Sequence, residues 1–300
     1  MNWPTIVTAL VTPYDPTGEV NPVQAADLAR KLWYEGSDGF VVAGSTGEAY
    51  GLSLSERERL FRAVRAALPA EVPVWIGTGS NDTRETIRLT EAADSWGADG
   101  MLIVAPYYNK PPAAGLVSHF REAARHTTRP VMIYDVPGRT GVQIPPEVVV
   151  EAHRQAANIL AVKEAAGTIT AMIAMHRALP PEVMLYSGDD ALLLPSLAVG
   201  ATGIVSVASH VAAGHMRALV EAYRSGRQAE AIRLHEVFWP LANALFLESN
   251  PIPLKWLMNR LGLNVGGVRP PLAMGGTSRL EPLWEAYQHL NGNDDQSLRA

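Results

Sequence analysis

The chain has no cysteine. That absence excludes disulfide staples, thiolate metal sites and a cysteine nucleophile, and it permits a reducing compartment. Positive charge is not in surplus either: 25 Lys and Arg stand against 30 Asp and Glu, for a net charge of −5. Without a basic stripe, neither nucleic acid nor an anionic membrane surface is expected as a partner, and small molecules are. No complete G-x-G-x-x-G or G-x-x-x-x-G-K-[ST] occurs, because Gly77-Thr78-Gly79 leads to Asp82 where a third glycine would be needed. The usual cradles for dinucleotides and nucleoside triphosphates are therefore missing. The eight histidines show no ligand spacing such as H-E-x-x-H, so no metal is expected. Met1-Asn2-Trp3-Pro4 lacks a basic segment followed by an apolar core, so no signal peptide is read and the expected location is cytoplasmic. One stretch, Ala191 to Gly214, has no Asp, Glu, Lys or Arg and is long enough to span a bilayer. Pro195, Gly200, Gly203 and Gly214 divide it into a short helix, a β-branched strand and a turn, as in the interior of a soluble protein.

Three hundred residues at 47% hydrophobic suffice for one large α/β domain or two ordinary ones. Short β-branched runs alternate with helical patterns, which signals βα units and a parallel sheet. Eight strands are expected, near Ile6 to Thr12, Gly39 to Ala43, Val74 to Thr78, Gly100 to Ala105, Val131 to Val136, Ile159 to Glu164, Met184 to Ser187 and Gly203 to Val207. Ser55-Glu56-Arg57-Glu58 reads as one helix start, and Asn81-Asp82-Thr83-Arg84-Glu85 as another. Eight βα repeats fit a closed (β/α)₈ barrel over residues 1–225; an open doubly wound sheet shares the alternation but lacks its phosphate motif. From about Arg227 the pattern is helical through Trp239, Trp256 and Trp284, giving a C-terminal helical region over 226–300 with a loose tail from Asn291.

The most informative residue is Lys163, which ends the apolar run Ile159-Leu160-Ala161-Val162. An amine in water is unprotonated in roughly one molecule in 2,500 at pH 7, whereas burial favours the neutral form that attacks carbonyls. The alternative is a lysine that snorkels to water. Tyr134 lies 29 residues earlier, one βα repeat away, which places it at a matching height on the neighbouring strand. A tyrosine there can shuttle protons for imine formation, or simply line the barrel. Other unusual residues also fall at strand ends, where a barrel has its active site. Gly44-Ser45-Thr46-Gly47-Glu48 offers hydroxyls and amides for a carboxylate, and Arg139 in Pro137-Gly138-Arg139-Thr140-Gly141 could grip one with two hydrogen bonds. A plain turn and a solvated arginine are the alternatives. Asp189-Asp190 reads as a helix cap rather than a metal site.

Five ordered motifs resemble the dihydrodipicolinate synthase and N-acetylneuraminate lyase superfamily: Gly44 to Glu48, Tyr107-Tyr108-Asn109-Lys110-Pro111, Tyr134 to Gly141, Val162-Lys163-Glu164-Ala165 and Ser187-Gly188-Asp189-Asp190. Arg139-Thr140-Gly141 and the late Glu248 to Trp256 resemble the dihydrodipicolinate synthase (4-hydroxy-tetrahydrodipicolinate synthase) branch more than the sialic-acid lyases. The resemblance implies condensation of pyruvate with L-aspartate 4-semialdehyde through an imine on Lys163, needing no metal or organic cofactor. It assigns proton transfer to Tyr134, relayed through Ser45 and Tyr108, with Tyr108 reaching into a neighbouring subunit of a homotetramer. The Ser45 and Thr46 amides would hold pyruvate's carboxylate, Arg139 the semialdehyde's, and Gly188 and Val205 would line the pocket. Ser45 replaces the usual threonine, and Asp135 stands where asparagine is frequent. Asn81, Glu85 and Tyr107 match the lysine-inhibitor site, but Leu54 and Arg57 occupy positions that are often histidine in lysine-inhibited members, so weak or absent lysine feedback is expected. The competing readings are a pyruvate-dependent keto-deoxy sugar acid aldolase or dehydratase, and a catalytically silent relative that binds pyruvate-like ligands.

Overall fold

The computed structural model describes residues 3–297. Its strands are β1 (Ile6–Ala9), β2 (Gly39–Val42), β3 (Val74–Gly77), β4 (Gly100–Val104), β5 (Val131–Asp135), β6 (Ile159–Glu164), β7 (Met184–Ser187) and β8 (Gly203–Ser206). All are parallel, and β1 pairs with both β2 and β8, so the sheet closes into an eight-stranded barrel. All eight expected strands form, and six stop one to three residues short of the bounds read from the sequence. The residues just beyond those ends stay buried as the chain enters the mouth loops.

Helices α1 (Pro22–Tyr34), α2 (Leu54–Ala67), α3 (Thr83–Ser95) and α4 (Ala113–Arg125) cover the first half of the barrel. After β5 come a single turn, α5 (Pro137–Thr140), and then α6 (Pro146–Gln155); α7 (Ile169–Ala178), α8 (Leu193–Ala198) and α9 (Ser209–Arg224) complete the ring. The start of α2 is set by Ser53 rather than Ser55. Ser53 and Glu56 form a reciprocal capping box that satisfies two backbone donors at the helix entrance. Asp82 caps α3 as the sequence indicates, accepting from Arg84 and Glu85 amides. The chain ends in α10 (Gln228–Ala244), α11 (Ile252–Arg260) and α12 (Glu281–Ser297). Here α12 continues past Asn291, where the sequence reading begins a loose tail. Buried Leu283 and Leu290 seat its inner face, and the Asn291 amide donates to the Tyr287 carbonyl. Residues 298–300 of that tail lie outside the described residues.

Strand alternation sorts the core into two layers. Val7, Val41, Trp75, Leu102, Met132, Tyr134, Ala161, Tyr186 and Val205 fill the barrel interior, and the opposite strand faces pack against the helices. Trp3 closes the interior against Trp75 and Tyr186, with ring centroids 5.7 and 6.3 Å away. The apolar packing around Phe238, Leu254, Leu257 and Leu283 is continuous with the helical layer, so the C-terminal helices share the barrel's outer core. The charge-free stretch divides into α8, β8 and the start of α9. Among the described residues no helix is long and apolar enough to cross a membrane.

Candidate active site

Tyr134 and Lys163 are direct register partners on β5 and β6. Both side chains point to the barrel axis, only 6% and 4% exposed, and the Lys163 Nζ sits 4.2 Å from the centre of the Tyr134 ring. The sequence interval that put them at one height is therefore realised as contact. The lysine stem is fixed from the β7 side by Gly188. Any Cβ there would lie 2.7 Å from the Lys163 Cε, so the close approach requires glycine. Lys163, Tyr134 and Gly188 line a cavity of about 290 Å³ together with Ser45, Thr46 and Arg139. Six residues that are scattered in sequence thus meet at one barrel mouth.

The loop after β2 brings Ser45 and Thr46 to the cavity wall. Thr46 is 1% exposed, and its Oγ1 accepts a hydrogen bond from the Asn250 Nδ2 at 2.9 Å. A hydroxyl that accepts there keeps its own proton to donate to a ligand. Arg139, carried by α5, donates from Nη2 to the Asn250 backbone carbonyl at 2.9 Å and lines the same cavity. Asn250 therefore holds two residues of the pocket lining. Sequence reasoning had it only inside the late Glu248 to Trp256 motif, because its contacts are 111 and 204 residues away and no local pattern announces them.

Other expected members fall elsewhere. Tyr108 is 88% exposed, has a left-handed φ of 76° and lines neither this cavity nor the adjoining one. Val205 is buried in the barrel interior, and Val207 lines the cavity instead. Among the described residues no hydrogen bond joins the Tyr134 hydroxyl to Ser45, although both face the two cavities. Asp189 caps the turn after β7 by accepting from the Ala191 amide. Asp190 is fully buried and accepts from the Val207 and Ala208 amides at 3.0 and 2.9 Å, which ties the β7 and β8 loops together. Both acids are thus engaged in backbone capping.

One residue beyond the Tyr134 and Lys163 pair, Asp135 and Glu164 are also register partners, on the outward face of the strands. Both are buried. Burial first, and the neighbouring Glu164 charge second, push the Asp135 carboxyl up to about 7, and burial raises Glu164 as well. Glu164 accepts from the Ala166 amide at 2.6 Å, whereas neither Asp135 oxygen makes a well-formed hydrogen bond and the nearby Ile144 amide offsets the rise only in part.

A second cavity of about 450 Å³ shares Ser45, Tyr134 and Arg139 with the first and extends to Arg57, Ser80, Glu85 and Tyr107. Asn81 lies outside its lining, and its carbonyl is held by the Asn109 amide. The Arg57 guanidinium is turned inward to the Gly77 and Ala49 carbonyls at 2.8 and 2.5 Å, which leaves a fixed positive charge in the wall. Glu85 is engaged by Arg88 through two hydrogen bonds.

A closed parallel barrel with a buried lysine among polar groups at its mouth places this chain among the (β/α)₈ barrels, and the synthases it is similar to make it an enzyme, a lyase. More narrowly, it belongs to the dihydrodipicolinate synthetase family, whose model matches residues 2–288. The 4-hydroxy-tetrahydrodipicolinate synthase of Desulforamulus reducens is 43% identical over 286 residues, covering 95% of this chain and 97% of that protein. Dihydrodipicolinate synthase from Cyanidioschyzon merolae, solved with lysine bound, superposes with a TM-score of 0.93 at 41% identity, over 96% of this chain and 98% of that one. The chloride-inhibited enzyme from Acinetobacter baumannii, solved with pyruvate, gives a TM-score of 0.92 at 34% identity, over 97% and 99% of the two chains.

Proposed function

We propose that this enzyme condenses pyruvate with L-aspartate 4-semialdehyde to 4-hydroxy-tetrahydrodipicolinate, in the diaminopimelate route to lysine. The observation that carries this reading is a buried amine, Lys163, against Tyr134 in a cavity that also has two separate carboxylate-reading groups, Thr46 and Arg139. Lys163 adds to pyruvate's ketone and water leaves, giving a protonated imine that acts as the electron sink. Loss of a methyl proton yields an enamine, whose carbon bonds to the aldehyde carbon. The substrate's amino group then attacks the imine carbon and displaces Lys163 as the ring closes. Tyr134 moves the protons in these steps, because it is the hydroxyl-bearing side chain packed directly on the amine. The Ser45 and Thr46 amides and the Thr46 hydroxyl hold pyruvate's carboxylate, and Arg139 holds the aldehyde's.

The exposed Tyr108 supports assembly into a homotetramer in which this ring completes a neighbour's site, since it has no role in the cavities of its own chain. A cytoplasmic location accords with small, soluble substrates. The direct test is pyruvate-dependent consumption of the semialdehyde by purified protein. Arg139→Ala should lower kcat/KM for the semialdehyde by about 100-fold, as expected for losing charge-assisted hydrogen bonds to a carboxylate, and leave the pyruvate dependence nearly intact. Unchanged semialdehyde kinetics would instead favour the keto-deoxy sugar acid aldolase reading.

Weak feedback by lysine is the regulatory counterpart. A ligand ammonium entering the second cavity meets the fixed Arg57 charge, and the carboxylate of Glu85 is already paired with Arg88. Half-maximal inhibition should therefore need far more than micromolar lysine. An initial-rate titration showing inhibition at low micromolar lysine would contradict this.

A further inference from the structure

Among the groups that the proposed chemistry leaves unused, the most completely buried ion pair joins Glu48 to Lys255, both 0% exposed. Glu48 ends the Gly44 to Glu48 loop, three residues from Ser45, and has a left-handed φ of 55°. A non-glycine residue persists in that region only where its surroundings hold it. Here they do so at every polar atom of the carboxylate. Glu48 Oε1 accepts from Lys255 Nζ at 2.7 Å, and Oε2 accepts from the Arg269 amide at 2.9 Å. The Lys255 ammonium donates again to the Gly267 carbonyl at 2.6 Å and lies 4.1 Å from the centre of the Tyr14 ring. Burial moves this amine down to about 8 against the opposing pull of Glu48. The pair thus carries a desolvation penalty that a barrel needing only stability would avoid with apolar side chains.

Its placement suggests what it does instead. Lys255 stands on α11, in the C-terminal helical part, and 207 residues separate it from Glu48. Through that contact, together with the Arg269 amide on the same carboxylate, the C-terminal part holds the loop that carries Ser45 and Thr46 at the cavity. Asn250, just before α11, secures the same loop at Thr46. We propose that Lys255 is a positioning residue for pyruvate: it locks Glu48, and hence the carboxylate-binding amides, in the conformation that receives the substrate. The inference rests on the pyruvate-imine reading above, and pre-organised amides lose binding strength steeply when displaced by about 1 Å.

The test uses the full-length protein and pyruvate alone, with borohydride to trap the imine and mass spectrometry to read the label on Lys163. Removing one partner leaves a buried unpaired charge and endangers folding, so the informative variant is the double substitution Glu48→Gln with Lys255→Met, which removes both charges at similar volume. Expected is a folded protein with a melting temperature near the parent's that still reaches full labelling, but whose half-saturating pyruvate concentration rises about tenfold or more. The semialdehyde KM at saturating pyruvate should stay within about twofold of the parent's. Parent-like pyruvate saturation in the folded double variant would overturn the positioning role and leave the pair purely structural. Failure of the parent itself to label on Lys163 would overturn the imine reading, and the inference with it.

Discussion

Lys163→Ala should abolish condensation, with turnover falling at least about 10⁴-fold, or roughly 5 kcal/mol of barrier. The expectation follows from how few amines the chain offers. Its four lysines are Lys31, Lys110, Lys163 and Lys255, and the first two are exposed. Lys255 is buried but committed to Glu48 and Gly267. Only Lys163 combines burial with a face on the cavity. Removing it deletes the electron sink, and a hydroxyl such as Tyr134 cannot form an imine. The fold should tolerate the change, because the lost stem borders a cavity and a buried amine goes with it. Circular dichroism and a thermal melt would establish that, and borohydride labelling with pyruvate should vanish together with turnover. A folded variant that still traps pyruvate would move the imine to another amine.

Both Lys163 and Lys255 are lysines in apolar surroundings, yet only the first was legible in the sequence. Lys163 closes a β-branched run, and strand period and repeat length then fix its height in the barrel. Lys255 sits in a nine-residue helix with six buried positions, where it looks like any helical lysine until the distant Glu48 is known. The same contrast explains the rest of the site. Tyr134, Ser45, Thr46 and Gly188 lie at strand ends, so closure of the barrel alone brings them together. Asn250 is delivered by the helical extension, whose docking no strand pattern specifies. Val207 replaces Val205 at the cavity for a related reason: Val205 is a strand residue facing the packed interior, and the chain reaches the mouth only two residues later. The cap of α2 shows the limit of local reading, since Ser53 and Ser55 are equally good cap residues and only the reciprocal bond with Glu56 selects the first.

Asp135→Asn should markedly change the pH dependence of stability. The carboxyl is fully buried without a well-formed hydrogen bond, and Glu164 is its register neighbour, so burial and like charge outweigh the nearby Ile144 amide and favour its protonated form. Its ionisation moves from the ordinary 3.8 to about 7 in the folded protein. Below pH 4 folded and unfolded chains both hold the proton, and the group makes no difference. Between pH 4 and 7 the unfolded chain releases it and the folded chain does not, so the unfolded state gains about 1.4 kcal/mol per pH unit. Above pH 7 the penalty is complete, at roughly 4 kcal/mol. Stability contributed at this position is therefore highest in acid and lost as pH rises, the opposite of a salt-bridged carboxylate. Asparagine cannot ionise, and it is the residue that the family resemblance leads one to expect here. Urea unfolding at pH 5 and pH 8 should show the parent losing about 3 kcal/mol more than the variant across that interval. Parallel curves would mean that Asp135 is already ionised at pH 5, and that a partner or hydration within the folded protein compensates its charge.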